Sequence, residues 1–344
     1  MRKIRVLVVD DSLVYRELLA RNLSKDPAIE VVATARDAFE ARDAIIEHKP
    51  DVMTLDINLP KMDGIEFLKK LLPQYPLPVV MISSLDGKVF EALNAGAVDF
   101  VVKPVGSDRQ QLEEFVKNEL PVKIKIASIA KIGNIKRTAA NVERQPLSVK
   151  TEDFVIAIGA STGGTEAIFS VIKEFGTDIP GVVIVQHMPP VFTQMYAERL
   201  NNNCRVTVKE AKTGDVVVPG QVLIAPGGEN HMRLVKVNGR YQVECRPGDK
   251  VNGHRPSVDV LFESVAKTAG ANSLGIILTG LGGDGAKGLL SMRNAGAYTI
   301  GQDESTCVVY GMPKVAYDMG AVMYQEKLQD IAAKTYSLIN KIRK

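Results

Sequence analysis

Two sets of polar residues in this chain stand where chemistry can be done. In FVIAIGASTGG an apolar run gives way to Gly159, Ser161 and Gly163. That GxSxG spacing puts a serine on a tight strand-to-helix turn, hydroxyl outward and helix N-terminus behind it. A serine hydroxyl is a weak nucleophile until a base takes its proton, and the base needs a carboxylate to fix its tautomer and stabilise the imidazolium. PGVVIVQHMP ends in His187, and SLGIILTGLGGDGAKG ends in a glycine-rich loop carrying Asp284. Ser161, His187 and Asp284 are therefore the candidate catalytic triad. The same turn also fits GxGxxG, but Ser161 stands where the second glycine must let a pyrophosphate approach. Of the other histidines, His48 lies in the N-terminal part, while His231 and His254 stand off apparent strand ends. His231, in APGGENH, is assigned to the pocket rim as a substrate contact. Asp303, in GQDEST, also follows a strand and is the main competitor to Asp284.

The second set is acidic. Asp10 and Asp11 close one apolar run, Asp56 another and Ser83 a third, and Lys103 follows a fourth. Three converging carboxylates repel one another, and a divalent cation with oxygen ligands resolves the conflict, Mg²⁺ being the ion that suits a phosphate partner. Beside such an ion Asp56 would attack a phosphoryl group, Lys103 would neutralise the transferred oxygens, and the Ser83 hydroxyl would donate to one of them. Lys103-Pro104 is a candidate cis peptide. Asp11 or Ser12 is a candidate helix cap.

Both sets need a scaffold that gathers strand ends. In the first 120 residues, β-branched runs alternate five times with segments of helical period, from IRVLVV and VYRELLARNL to VDFVV and a helix beginning near Ser107. Repeated βα alternation requires a parallel sheet covered on both faces, with ligands beyond the carboxyl ends of the strands. Residues 152–344 give a second, larger α/β unit. It contains a hairpin, HMRLVKV and RYQVEC about Asn238-Gly239, an amphipathic helix in RPSVDVLFESVAKTA capped by Ser257, and a closing helix in KLQDIAAKTYSLINKI. Between the units, residues 121–151 read as a basic linker. From Lys117 to Lys150 there are eight Lys or Arg and two Glu, with Pro121, Gly133 and Pro146 and no sustained period.

Length and composition fit this division. At 344 residues the chain suits two domains, and 45% hydrophobic with 24% charged residues is ordinary for globular protein. No apolar run approaches the ~18 residues of a membrane span. The first apolar run is ended by two aspartates without a small-residue cleavage site, so it reads as a strand of a cytoplasmic protein. Cys204, Cys245 and Cys307 are odd in number and lack CxxC spacing, which indicates neither a disulfide framework nor a zinc knuckle. The formal charge of +3 sits in the linker region with no aromatic residues interleaved, which disfavours a nucleic-acid arm. No GxxxxGK[ST] is present.

The Asp-Asp pair, Asp56, Ser83 and Lys103-Pro104 together resemble the receiver domains of two-component response regulators. The resemblance implies phosphorylation at Asp56 by a histidine kinase, with Mg²⁺ held by Asp10, Asp11 and Asp56, and Phe100 where receivers often carry a mobile aromatic. GASTGG, QHMP, APGGENH, RPSVDVLFESVA, TGLGGDGAKG and QDESTCVVYGMP extend the likeness. Over essentially the whole chain the sequence resembles the chemotaxis protein-glutamate methylesterase (CheB) family. That implies a flavodoxin-like receiver of five strands joined to a Rossmann-like α/β esterase domain with a β-hairpin insertion. The implied substrate is a methylated glutamate on the cytoplasmic helices of a chemoreceptor, with methanol released and receptor glutamines deamidated. Backbone N–H groups near Ser161 and Leu281 would bind the oxyanion, with Thr162, Leu281 and Gly282 in the pocket and no cofactor in the ester step. Where the family commonly carries Met this chain has Leu281, an exchange that is silent if only the backbone is used. The fusion suggests that the unphosphorylated receiver restricts access to the esterase site. The competing readings are a receiver-controlled binder of DNA or nucleotide, and a serine esterase or deamidase with another protein target.

Overall fold

The computed structural model describes residues 2–83, 88–104, 109–132 and 151–342. Contacts divide the chain into two compact units, Met1–Ile135 and Lys136–Lys344.

In the first unit five strands, β1 (Ile4–Val9), β2 (Ile29–Ala35), β3 (Val52–Asp56), β4 (Val79–Ser83) and β5 (Asp99–Val102), form one parallel sheet in the order β2-β1-β3-β4-β5. Helices α1 (Leu13–Leu23), α2 (Ala38–His48), α3 (Gly64–Leu71) and α4 (Lys88–Asn94) form the crossovers. Every residue of β3 and β4 is buried, which is why these strands are continuous apolar runs rather than alternating ones. The strand order reverses between β1 and β3, so a crevice opens beyond their carboxyl ends. Ser12 caps α1, its hydroxyl accepting from Tyr15 N–H. Among the described residues the cis peptide is Arg255-Pro256, and Lys103-Pro104 is not cis.

The expected linker starts too early. Helix α5 (Arg109–Glu114) passes through a π-helical turn at Phe115–Glu119 into α6 (Leu120–Ser128). Pro121 sits in the first turn of α6, where its missing N–H costs no intrahelical bond. Leu120, Ile124 and Ala127 are buried, and Lys123 and Lys125 pair with Asp99 and Asp26 at 2.7 and 2.6 Å. Part of the charge ascribed to a linker thus binds carboxylates of the first unit. Residues 133–150, and Ser107, lie outside the described residues.

The second unit carries a seven-stranded parallel sheet. Its strands are β6 (Val155–Ala160), β7 (Gly181–Gln186), β8 (Thr207–Glu210), β9 (Gln221–Ile224), β12 (Ser273–Ile277), β13 (Tyr298–Gln302) and β14 (Tyr324–Glu326), in the order β14-β13-β12-β6-β7-β9-β8. Between β9 and β12 the chain inserts the hairpin β10 (Asn230–Val237) and β11 (Arg240–Pro247), turned by Asn238 and Gly239 at φ 48° and 78°. Helices are α7 (Gly164–Ile172), α8 (Phe192–Asn203), α9 (Val258–Thr268), α10 (Ala286–Asn294), α11 (Met312–Asp318) and α12 (Ile331–Ile342). One core cluster joins Met232 and Leu234 of the hairpin to Leu261, Phe262 and Val265 of α9 and to Val183 and Leu223 of the sheet. The chain enters this sheet at β6 and builds outward on one side before returning to β12 on the other. Its switch point therefore lies between β6 and β12. No helix among the described residues is long and apolar enough to cross a membrane.

Candidate active site

Ser161 is the first residue beyond β6. Ala160 pairs in register with Gln186 of β7, so His187 leaves the neighbouring strand at the same level, its N–H donating to Ala160 O at 3.2 Å. The serine backbone is held on both sides. Its N–H donates to Thr279 O at 3.0 Å, and its carbonyl accepts from Gly164 N–H at 2.7 Å and Gln186 Nε2 at 2.9 Å. Gly163 has φ 76°, and a Cβ there would stand 2.7 Å from the Val308 side chain. Gly280 allows the closest approach, since its Cβ would stand 2.7 Å from that of Ser161. Gly280 lets the β6 turn and the loop after β12 meet, and Gly163 lets that turn pack against Val308 in the segment after β13.

His187 Nε2 lies 2.8 Å from Asp284 Oδ2, with the two side chains 8% and 1% exposed. Asp284 also accepts from Val258 N–H at 2.7 Å, Ser257 Oγ at 2.7 Å, Asn252 Nδ2 at 2.8 Å and Asp259 N–H at 3.3 Å. It therefore sits on the N-terminus of α9, where backbone donors and the helix dipole favour an anion. Burial alone would push its carboxyl up, but the bonds from His187, Asn252 and Ser257 outweigh burial and hold it below the usual carboxylate range. An ionised Asp284 accepting from Nε2–H assigns the imidazole proton to Nε2 and leaves Nδ1 as the basic nitrogen. Nδ1 is buried and has no hydrogen-bond partner among the described residues.

Other expectations separate here. His231 is not at a pocket rim: it is 1% exposed, its Nδ1 accepts from Ser257 N–H at 3.1 Å and its Nε2 donates to Asp249 O at 2.7 Å. With both nitrogens engaged by the protein, it supports Ser257 and through it Asp284. Asp303 is held elsewhere, its carboxylate capping the turn at Glu304–Thr306 by accepting from Ser305 N–H at 3.0 Å. Thr162 is buried, and its carbonyl accepts from Thr279 Oγ1 at 3.0 Å. Leu281 and Gly282 are exposed on the loop leading from Thr279 to Asp284. Because the Ser161 N–H is spent on Thr279, an oxyanion must be met by other donors. Sequence reasoning missed Asn252 and His254. The Asn252-Gly253 pair is a turn signal, but that the turn folds onto the triad is tertiary information.

In the first unit Asp10, Asp56, Ser83 and Lys103 meet at the crevice. Lys103 Nζ lies 2.8 Å from Asp10 Oδ2 and contacts Asp56 Oδ2, and Lys103 N–H donates to Ser83 O at 2.7 Å. Burial raises the Asp56 carboxyl even though the Lys103 ammonium pulls it down. Asp10, Asp11 and Asp56 each offer an oxygen within 4.8 Å of the others. An all-carboxylate set of this kind fits a hard cation such as Mg²⁺. Phe100 is a buried residue of β5.

A five-stranded receiver-type sheet with an acidic crevice, joined to a doubly wound unit with Ser, His and Asp gathered at its switch point, defines a response regulator whose output is an α/β hydrolase. Comparison with known proteins agrees. The CheB methylesterase family model matches residues 156–335, and the response regulator receiver domain model matches residues 6–117. The protein-glutamate methylesterase/protein-glutamine glutaminase 2 of Syntrophomonas wolfei is 61% identical over 342 residues, covering 99% of each chain. The protein-glutamate methylesterase/protein-glutamine glutaminase of Syntrophotalea carbinolica is 52% identical over 353 residues, again covering 99% of each chain. The crystal structure of the Thermotoga maritima CheB methylesterase catalytic domain is 38% identical, with a TM-score of 0.52, covering 54% of this chain and 98% of that one. The chain belongs to the CheB family of protein-glutamate methylesterases with an N-terminal response-regulator receiver domain. This membership favours the esterase reading over a DNA or nucleotide binder.

Proposed function

We propose that this protein is a phosphorylation-regulated serine hydrolase that removes methyl esters from glutamate side chains on the cytoplasmic helices of chemoreceptors and deamidates receptor glutamines. The observation that carries the reading is the His187–Asp284 pair, held at 2.8 Å beside the strand end that presents Ser161. His187 Nδ1 takes the Ser161 proton as Oγ attacks the ester carbonyl, and Asp284 stabilises the imidazolium. N–H groups at Thr162 and at Leu281–Gly282 meet the developing oxyanion. Collapse of the tetrahedral intermediate expels methanol, which takes the proton back from His187. Water then loses its proton to His187 and attacks the acyl-enzyme, returning the glutamate carboxylate and the serine. With a glutamine the same steps release ammonia.

In the receiver, Asp56 Oδ accepts a phosphoryl group from a chemotaxis histidine kinase. Asp10, Asp11 and Asp56 would hold Mg²⁺, which when bound neutralises charge on the phosphoryl oxygens. Lys103 leaves its contacts with the free carboxylates to pair with a phosphoryl oxygen, and the Ser83 hydroxyl donates to another. Phosphorylation then raises the esterase rate.

A fluorophosphonate that labels activated serines tests the triad. We expect labelling at Ser161 by mass spectrometry, its loss in Ser161→Ala and a strong decrease in His187→Ala. Equal labelling of wild type and His187→Ala would contradict the assignment.

A further inference from the structure

Besides Asp284 at its Nε2, the His187 imidazole has a second side chain against it, on its flat face. Val251 N–H donates to His254 O at 3.1 Å, and His254 N–H donates back to Val251 O at 2.9 Å. Asn252 and Gly253 between them have φ of 53° and 82°, the left-handed pair that defines a type I′ turn. The turn is pinned at both ends. Asn252 Nδ2 bridges Asp259 Oδ2 at 2.7 Å and Asp284 Oδ1 at 2.8 Å, while Arg255 Nε and Nη1 each donate at 2.8 Å, to Gly228 O and Gly248 O. So held, the His254 ring lies flat on His187, with ring centroids 3.7 Å apart and planes 9° from parallel.

This stack supplies what the Asp284 bond does not. One hydrogen bond at Nε2 fixes the position of one ring atom but leaves the ring free to rock about the Nε2···Oδ2 line. Nδ1, on the far side of the ring, has no hydrogen bond to steady it. The direction of its lone pair is therefore set by the plane of the imidazole. A flat partner against one face fixes that plane.

We infer that His254 is a positioning residue: its stacked ring holds the His187 imidazole in the plane that aims Nδ1 at the Ser161 hydroxyl. The role rests on the methylesterase reading above. A misaimed base slows proton transfer without weakening substrate binding, and displacements near 1 Å cost up to ~100-fold in rate.

The test compares His254→Phe, which keeps a flat ring, with His254→Leu, which fills the space without one. Full-length protein is assayed for methanol release from methylated chemoreceptor membranes, with Ser161→Ala as blank. We expect His254→Leu to lower kcat at least about 10-fold with KM little changed, and His254→Phe to recover kcat to within about threefold of wild type. Should His254→Leu fail to fold, as judged by thermal melting, His254→Gln replaces it with the same expectation. Equal kcat in the Phe variant and the ringless variant, whether high or low, would overturn the inference. Wild-type release no greater than that of Ser161→Ala would instead overturn the methylesterase reading itself.

Discussion

Asp284 owes its value to what surrounds it. It accepts four donors besides His187 at the head of α9, and one of them, Ser257, is itself steadied by His231. Asp284→Asn should lower kcat by about 10³–10⁴, because a neutral amide no longer fixes the proton on Nε2, the loss seen when the carboxylate of a serine-protease triad is neutralised. Steady-state kinetics on methylated receptors measure it. Asp284 also shapes acid stability. Its carboxyl lies below the ordinary value near ~4 in the folded state, so its stabilising effect is present above that value and is lost as pH falls through the lower folded one. Urea unfolding below pH ~4 should show stability rising with pH in wild type and rising less steeply in Asp284→Asn. His231 has a different signature. His231→Ala strands the Ser257 N–H in the interior, and the expected cost is about 1–3 kcal/mol in chemical unfolding. KM should barely move, whereas a rim contact would raise it.

At the scale of elements, the strand ends do the placing. The apolar runs, the glycine-rich turns and the Asn238-Gly239 hairpin are local signals, and they were legible because a buried parallel strand and a type I′ turn constrain composition directly. The candidate triad was legible for the same reason, each member following such a run. The burial of His231 is not legible in sequence, because APGGENH reads as a loop while its histidine faces inward from β10. The Asn252–His254 turn was passed over because nothing in its own sequence says that it folds back onto β7 and α9. The boundary at 120 failed because Pro121 reads as a breaker, although the first turn of a helix tolerates it. The β6 turn itself makes a prediction. Gly163→Ala combines φ 76° with a Cβ 2.7 Å from Val308, so it should destabilise the fold by more than about 1 kcal/mol. Thermal denaturation reads this directly, and an unchanged midpoint would show that the turn relaxes.

At the scale of the whole molecule, the acidic crevice and the Ser161, His187 and Asp284 site occupy separate compact units, Met1–Ile135 and Lys136–Lys344. Their joining in one chain makes sense if the state of Asp56 governs the rate at Ser161. Asp56→Asn should then keep the basal rate and lose stimulation by a phosphodonor. An isolated second domain should be more active than the unphosphorylated full chain. The most direct test of the account is methanol release from methylated chemoreceptor membranes by the full-length protein, with and without a small phosphodonor and Mg²⁺, against Ser161→Ala. The account predicts release that requires Ser161 and rises with phosphodonor. Release that persists in Ser161→Ala, or none from wild type under either condition, would contradict it.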